Sequence, residues 1–185
     1  MSQARAKKIK LLLLDVDGVM TDGTFFLIPY QGGQVEAKAF NAHDGTAFSL
    51  ARLSGLKTGL ITKRVSETVR LRGRDLKIDY VYQGIGDKLS AFHDILEKEN
   101  LKPEQAAYVG DDIIDLPVMR NCGLAFAVAN AREDVKDEAH VITDHRGGDG
   151  AVRDAVEYIL KAQGLLLRSV ELYIAGETPA SEKQQ

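Results

Sequence analysis

The sequence has one cysteine, Cys122, no long apolar run, and little excess of charge of either sign. A single cysteine cannot form an internal disulfide, so the fold does not depend on an oxidising compartment, and Cys122 reads as a small buried apolar side chain. The longest apolar stretch near the start, residues 11–14, is cut off by Asp15 and Asp17. It falls far short of a membrane span and carries no signal-peptide cleavage pattern, which predicts a cytoplasmic protein with no membrane partner. A formal net charge of −3 and a pI near 5.8 give none of the positive field that nucleic acid or an anionic surface would require. A small-molecule ligand fits better. No His or Cys grouping has zinc spacing, and no internal repeat or low-complexity tract is present.

What remains is a chain of 185 residues, 44% hydrophobic, enough for one well-buried domain spanning 1–185. Short β-prone apolar runs at 9–14, 58–61, 80–82, 106–109, 124–127 and 140–142 alternate with helical periodicity at 45–53, 66–76, 88–99, 115–121 and 150–163. That alternation predicts an α/β fold with a doubly wound, mainly parallel sheet. Residues 24–28 and 35–40, separated by Pro29, Gly32 and Gly33, read as a β-hairpin flap within about 22–42. Nothing marks a second domain. The polar ends, 1–8 and 177–185, read as mobile, and the tail from 165 carries apolar clusters at 165–167 and 172–174.

Ligands of open parallel sheets bind beyond the carboxyl ends of the strands, and polar residues cluster there. The first strand ends in Asp15-Val16-Asp17-Gly18, the second in Thr62-Lys63-Arg64, and the fourth in Gly110-Asp111-Asp112 with Asp115 following, while Lys88 opens a helix. A single Asp-x-Asp is usually a turn or a cap. Carboxylates gathered from separate strands repel one another unless a cation stands among them, and an all-oxygen set suits Mg²⁺.

DVDGVMTDG, ITKR, the Lys88 region and GDDIID resemble, in order, the motifs of haloacid dehalogenase-type phosphatases. FNAHDG, YQGIGDKLSAF, YVGDDIIDLPVM and GGDGAVRDAVEYILKAQG extend the resemblance, over roughly residues 9–164, to the subgroup acting on 3-deoxy-D-manno-octulosonate 8-phosphate and on nonulosonate 9-phosphates. The resemblance implies Asp15 as nucleophile and Asp17 as general acid and base. It implies Mg²⁺ on Asp15, the Asp17 carbonyl and Asp111, with Thr62 and Lys88 on the phosphoryl oxygens and Asp112 and Asp115 orienting metal waters and Lys88. It also implies a capless homotetramer whose neighbours complete the sites, with Phe25, Phe26, Leu27 and Ile28 buried at the seam.

One position departs from the family pattern: Lys63 stands where glycine is usual, which either strains a positive-φ turn or adds charge near the phosphate. Lys63, Arg64 and His43 are candidate substrate contacts, with Asp44 a candidate helix cap beside His43. His93 and His140 read as structural or surface residues, and His145 and Arg146 sit on a glycine-rich loop. Two rivals from other classes stand beside the phosphatase. A phospho-accepting signalling module would place its acceptor Asp on the third strand, which here ends Tyr82-Gln83-Gly84. A silent regulatory or oligomerisation module would not need Asp15, Asp17, Thr62, Lys88 and Asp111 together.

Overall fold

The computed structural model describes residues 1–176; the polar end, 177–185, lies outside the described residues. Six parallel strands form one sheet: β1 (Leu11–Leu14), β4 (Lys57–Ile61), β5 (Tyr80–Tyr82), β6 (Ala106–Gly110), β7 (Leu124–Ala127) and β8 (Val141–Ile142). Their order is β5-β4-β1-β6-β7-β8. The chain therefore builds outward from β1 on one side, then returns to build outward on the other. The reversal opens a crevice between the carboxyl ends of β1 and β6, the place where such sheets bind ligands. Four consecutive leucines make β1 and all are buried, as a strand covered on both faces requires.

Helices cover the sheet. α1 (Ser2–Ala6), α2 (Ala42–Ser54), α7 (Ala151–Gln163) and α8 (Leu166–Ile174) pack together, and α4 (Lys88–Glu99) packs on α5 (Leu116–Met119); α3 (Glu67–Asp75) and α6 (Glu133–Glu138) complete the set. Among the described residues no helix is long and apolar enough to cross a membrane.

The start of the chain is helical where its polarity suggested mobility. Ala6 is buried, Arg5 donates to the Gly123 carbonyl at 2.8 Å, and Gln163 donates to the carbonyls of Ala6 and Ile9. The cap of α2 also differs from expectation. Asn41 caps the helix by accepting from the His43 N–H, whereas Asp44 is buried and accepts from the N–H groups of Gly150 and Arg153. Gly150 precedes α7 and has no side chain to cap it, so Asp44 supplies that service from α2.

The hairpin pairs β2 (Phe26–Tyr30) with β3 (Gly33–Ala37), antiparallel and separate from the main sheet. Pro29 lies within β2 instead of breaking it, since an edge strand tolerates a missing N–H. The glycine-rich loop before α7 is a packing device: a Cβ on Gly147 would come within 1.7 Å of the Gly18 carbonyl, and the Gly148 N–H donates to the Val19 carbonyl. It clamps the loop that follows β1.

Candidate active site

Asp15, immediately past β1, is buried and anchored twice: Oδ1 accepts from the Val16 N–H at 2.7 Å, and Oδ2 meets Lys88 Nζ at 2.8 Å. Lys88 is the first residue of α4, the end where a helix disfavours positive charge. Its placement there is offset by two carboxylates, because the same Nζ lies 2.8 Å from Asp115 Oδ1. Asp115 has no exposed surface, and its other oxygen accepts from the N–H groups of Asp111 and Asp112. That explains the bend after β6: one carboxylate ties down two backbone donors and a cation.

Asp111, across the crevice, is less anchored. Its Oδ1 is buried with no hydrogen-bond partner, a costly state for a carboxylate oxygen. Burial first, then the charges of Asp115 and Asp15, push the Asp111 carboxyl from 3.8 up to about 8. Burial and Asp115 likewise push Asp15 to about 6 against the opposing pull of Lys88. Oxygens of Asp15, Asp111 and Asp115 all lie within 4.8 Å of one another. An orphaned buried oxygen among hard carboxylate ligands fits a divalent cation such as Mg²⁺. Asp115 takes two donors on each oxygen, whereas Asp15 takes one on each and Asp111 Oδ1 takes none, which leaves lone pairs on Asp15 and Asp111 for an ion. Gly18 adopts φ +89°, and a Cβ there would come within 2.0 Å of Asp111 Oδ2. Glycine is required for the two strand ends to approach.

Thr62, past β4, is buried; its Oγ1 accepts from the Arg64 N–H at 3.4 Å, which leaves its own O–H to donate. Asp17 meets the flap: Lys38 Nζ pairs with its Oδ1, and Arg64 Nε lies 3.6 Å from its Oδ2. Arg64 also reaches Glu36 Oε2 at 2.8 Å and lies over the Phe25 ring, 4.0 Å from its centroid. Phe25 is thus engaged by Arg64 within its own chain, yet it remains exposed like its neighbours on the flap. Glu36 takes a further bond from Ser66 Oγ.

Asp112 joins this group through its backbone, its N–H donating to Asp115 Oδ2, while its exposed carboxylate accepts from the Ile113 N–H. Other expected residues stand apart. His43 lines a cavity of about 290 Å³ with His145, Asp149 and Arg153, whose walls include none of Asp15, Thr62, Lys88 and Asp111. His145 is exposed and paired with Asp154, while the His140 ring accepts from the Ala125 N–H. Lys63 is exposed and does not adopt positive φ; among the described non-glycine residues only Lys77 and Asn100 do. The usual glycine is thus not demanded by the turn, and Lys63 carries no left-handed strain.

The pattern of the haloacid dehalogenase-like hydrolases matches residues 63–155. This chain belongs to that family. Within it, the chain is 45% identical over 163 residues to the 3-deoxy-D-manno-octulosonate 8-phosphate phosphatase KdsC of Escherichia coli K12, covering 88% of this chain and 85% of that protein. A crystal structure of the Yersinia pestis phosphatase of the same name superposes with a TM-score of 0.86 at 42% identity, over 90% of this chain and 88% of that one. The Moraxella catarrhalis phosphatase, solved in complex with magnesium, phosphate and KDO, gives 0.86 at 36% identity over 92% and 97%. The hydrolase fold thus agrees with the predicted doubly wound core, and the hairpin is the sole insertion between β1 and α2.

Tyr108, Lys38 and Glu36 belong to the site although no motif spacing singles them out. Each had a signal in kind. Tyr108 is the one hydroxyl-bearing residue in the apolar strand AAYVG, where a buried phenol needs a partner. Glu36 and Lys38 are charges within and just beyond an otherwise uncharged hairpin.

Proposed function

We propose that the chain hydrolyses 3-deoxy-D-manno-octulosonate 8-phosphate to the free sugar acid and phosphate, through an aspartyl phosphate on Asp15. The observation that carries the chemistry is the buried group Asp15–Lys88–Asp115 beside the orphaned oxygen of Asp111. The similarity to phosphatases of that substrate supports the choice of sugar.

Asp15 attacks phosphorus as the bond to the sugar oxygen breaks, and Asp17 gives that oxygen a proton. Asp17 then takes a proton from the water that attacks the phospho-Asp15 bond, which releases phosphate and restores both carboxyl groups. Lys88 and the Thr62 hydroxyl meet the charge on the phosphoryl oxygens. Asp15, Asp111 and the Asp17 carbonyl would hold Mg²⁺, which when bound would neutralise carboxylate and phosphoryl charge. Lys38 and Arg64 fix the direction of the Asp17 carboxylate, which ties the flap to the acid–base step. Arg64 and Lys63, at the rim, meet the substrate's own anionic group; His43 would do so only on a substrate long enough to reach its cavity.

The same reading extends to assembly and location. Phe26, Leu27, Ile28, Tyr30 and Val35 are half exposed or more, as are Leu167 and Ile174 on α8. Such apolar surface supports burial against other copies, in a cytoplasmic homotetramer whose neighbours cover the open crevice.

The test is phosphate release from a panel of sugar-acid phosphates with Mg²⁺. The octulosonate 8-phosphate should give the highest kcat/KM, and Asp15→Asn should lose several orders of magnitude in kcat. Full activity of Asp15→Asn, or of the wild type in excess EDTA, overturns the mechanism; a better nonulosonate 9-phosphate substrate overturns the choice of sugar.

A further inference from the structure

Tyr108, on β6, is wholly buried, and its hydroxyl lies beneath the catalytic group. It donates to Asp115 Oδ1 at 2.8 Å, and Lys88 Nζ lies 3.4 Å from the same hydroxyl. Packing alone would be met by phenylalanine, since a buried phenol is tolerated only when its O–H is satisfied. Burial and the neighbouring carboxylates hold the phenol well above its usual range, so it remains a donor at every working pH. Asp115 Oδ1 therefore has two donors, Tyr108 and Lys88, while Lys88 has two carboxylates, Asp115 and Asp15, each at 2.8 Å. Removing one donor from Asp115 Oδ1 strengthens its hold on the other. Lys88 would then be drawn toward Asp115, away from Asp15 and the phosphoryl group.

We propose that Tyr108 is a positioning residue: by donating to Asp115 it sets how Lys88 is shared between Asp115 and Asp15, and hence how firmly Lys88 holds the phosphoryl group. This rests on the phosphatase reading above.

The test is Tyr108→Phe, which removes one oxygen and keeps the ring. The expected result is folded protein with kcat/KM down about tenfold, the scale of a lost hydrogen bond to a charged group, and binding of inorganic phosphate in Mg²⁺, measured by calorimetry, weakened alongside. Phe126→Leu, a core change on the neighbouring strand β7, serves as the comparison: it should lower Tm while leaving phosphate affinity unchanged, which a merely structural role for Tyr108 would mirror. An active wild type with Tyr108→Phe unchanged in phosphate affinity and kcat/KM overturns the positioning role alone. So does a Tyr108→Phe protein that fails to fold, because the hydroxyl would then be a determinant of structure. A wild type that releases no phosphate from any ester overturns the phosphatase reading and this inference with it.

Discussion

The raised carboxyls of Asp15 and Asp111 make the stability of the protein depend on pH and Mg²⁺ together. Without the ion, both groups hold their protons more tightly in the folded chain than in the unfolded one, where an ordinary value near 3.8 applies. Well below pH 4 both states are protonated and there is no penalty. As pH rises from about 4 to about 8 the native state binds more protons than the unfolded state, so stability falls, and above about 8 the full penalty is present. Moving one carboxyl from 3.8 to about 8 corresponds to on the order of 5 kcal/mol. Because the Asp15 charge is itself one cause of the Asp111 shift, and Asp115 acts on both, the two are not independent; that single figure is the ceiling and they are not summed. A cation between them removes repulsion only once they are ionised. Mg²⁺ should therefore raise Tm little near pH 5.5, where it competes with protons, and much more near pH 8.5. If the ion relieves half the ceiling, Tm rises by about 5–10 °C for a chain of this size. Thermal melts read by circular dichroism, with and without millimolar Mg²⁺ across that range, measure the difference. An equal shift at both ends, or Asp111→Asn keeping the wild-type response to Mg²⁺, would refute the reasoning.

Two further perturbations probe the rim and the flap. Lys63→Gly should leave Tm nearly unchanged and kcat within about twofold, because Lys63 is exposed and has no positive φ, and only KM for the sugar-acid phosphate should worsen if its charge helps; a marked rise in kcat in steady-state assays would point to strain after all. Phe26→Ser with Ile28→Ser removes apolar area from one face of β2, worth about a few kcal/mol if an interface covers it. Sedimentation should then show a smaller particle, with activity lost more for the sugar acid than for p-nitrophenyl phosphate; a wild type that sediments as a monomer with full sugar-acid activity excludes completion by neighbours.

The sequence alone determined the parts of this protein whose physics is local or strictly periodic. Four leucines ended by Asp15 can only be a buried strand that stops at a polar edge, and alternation of such runs with helical spacing dictates parallel pairing with crossovers. The order of Asp15, Thr62 and Asp111 along the chain, each just past a strand end, with Lys88 opening a helix between them, pointed to one crevice for the same reason. What local pattern does not encode is which distant groups satisfy one another. Asp44 looked like the cap of its own helix, yet Asn41 already serves α2, and the Gly150 start of α7 lacks a cap. Residues 1–8 looked mobile because their polarity says nothing of the backbone carbonyls at Ala6 and, just beyond, Ile9 that Gln163 reaches across the fold. Lys63 looked strained only because a glycine is usual there; its φ is a property of how the β4 loop packs. The Tyr108–Asp115–Lys88–Asp15 chain and the reach of Lys38 to Asp17 join residues from four separate segments. Tertiary structure alone decided them, because a buried donor or charge must find its partner wherever folding brings one, and sequence separation places no limit on that choice.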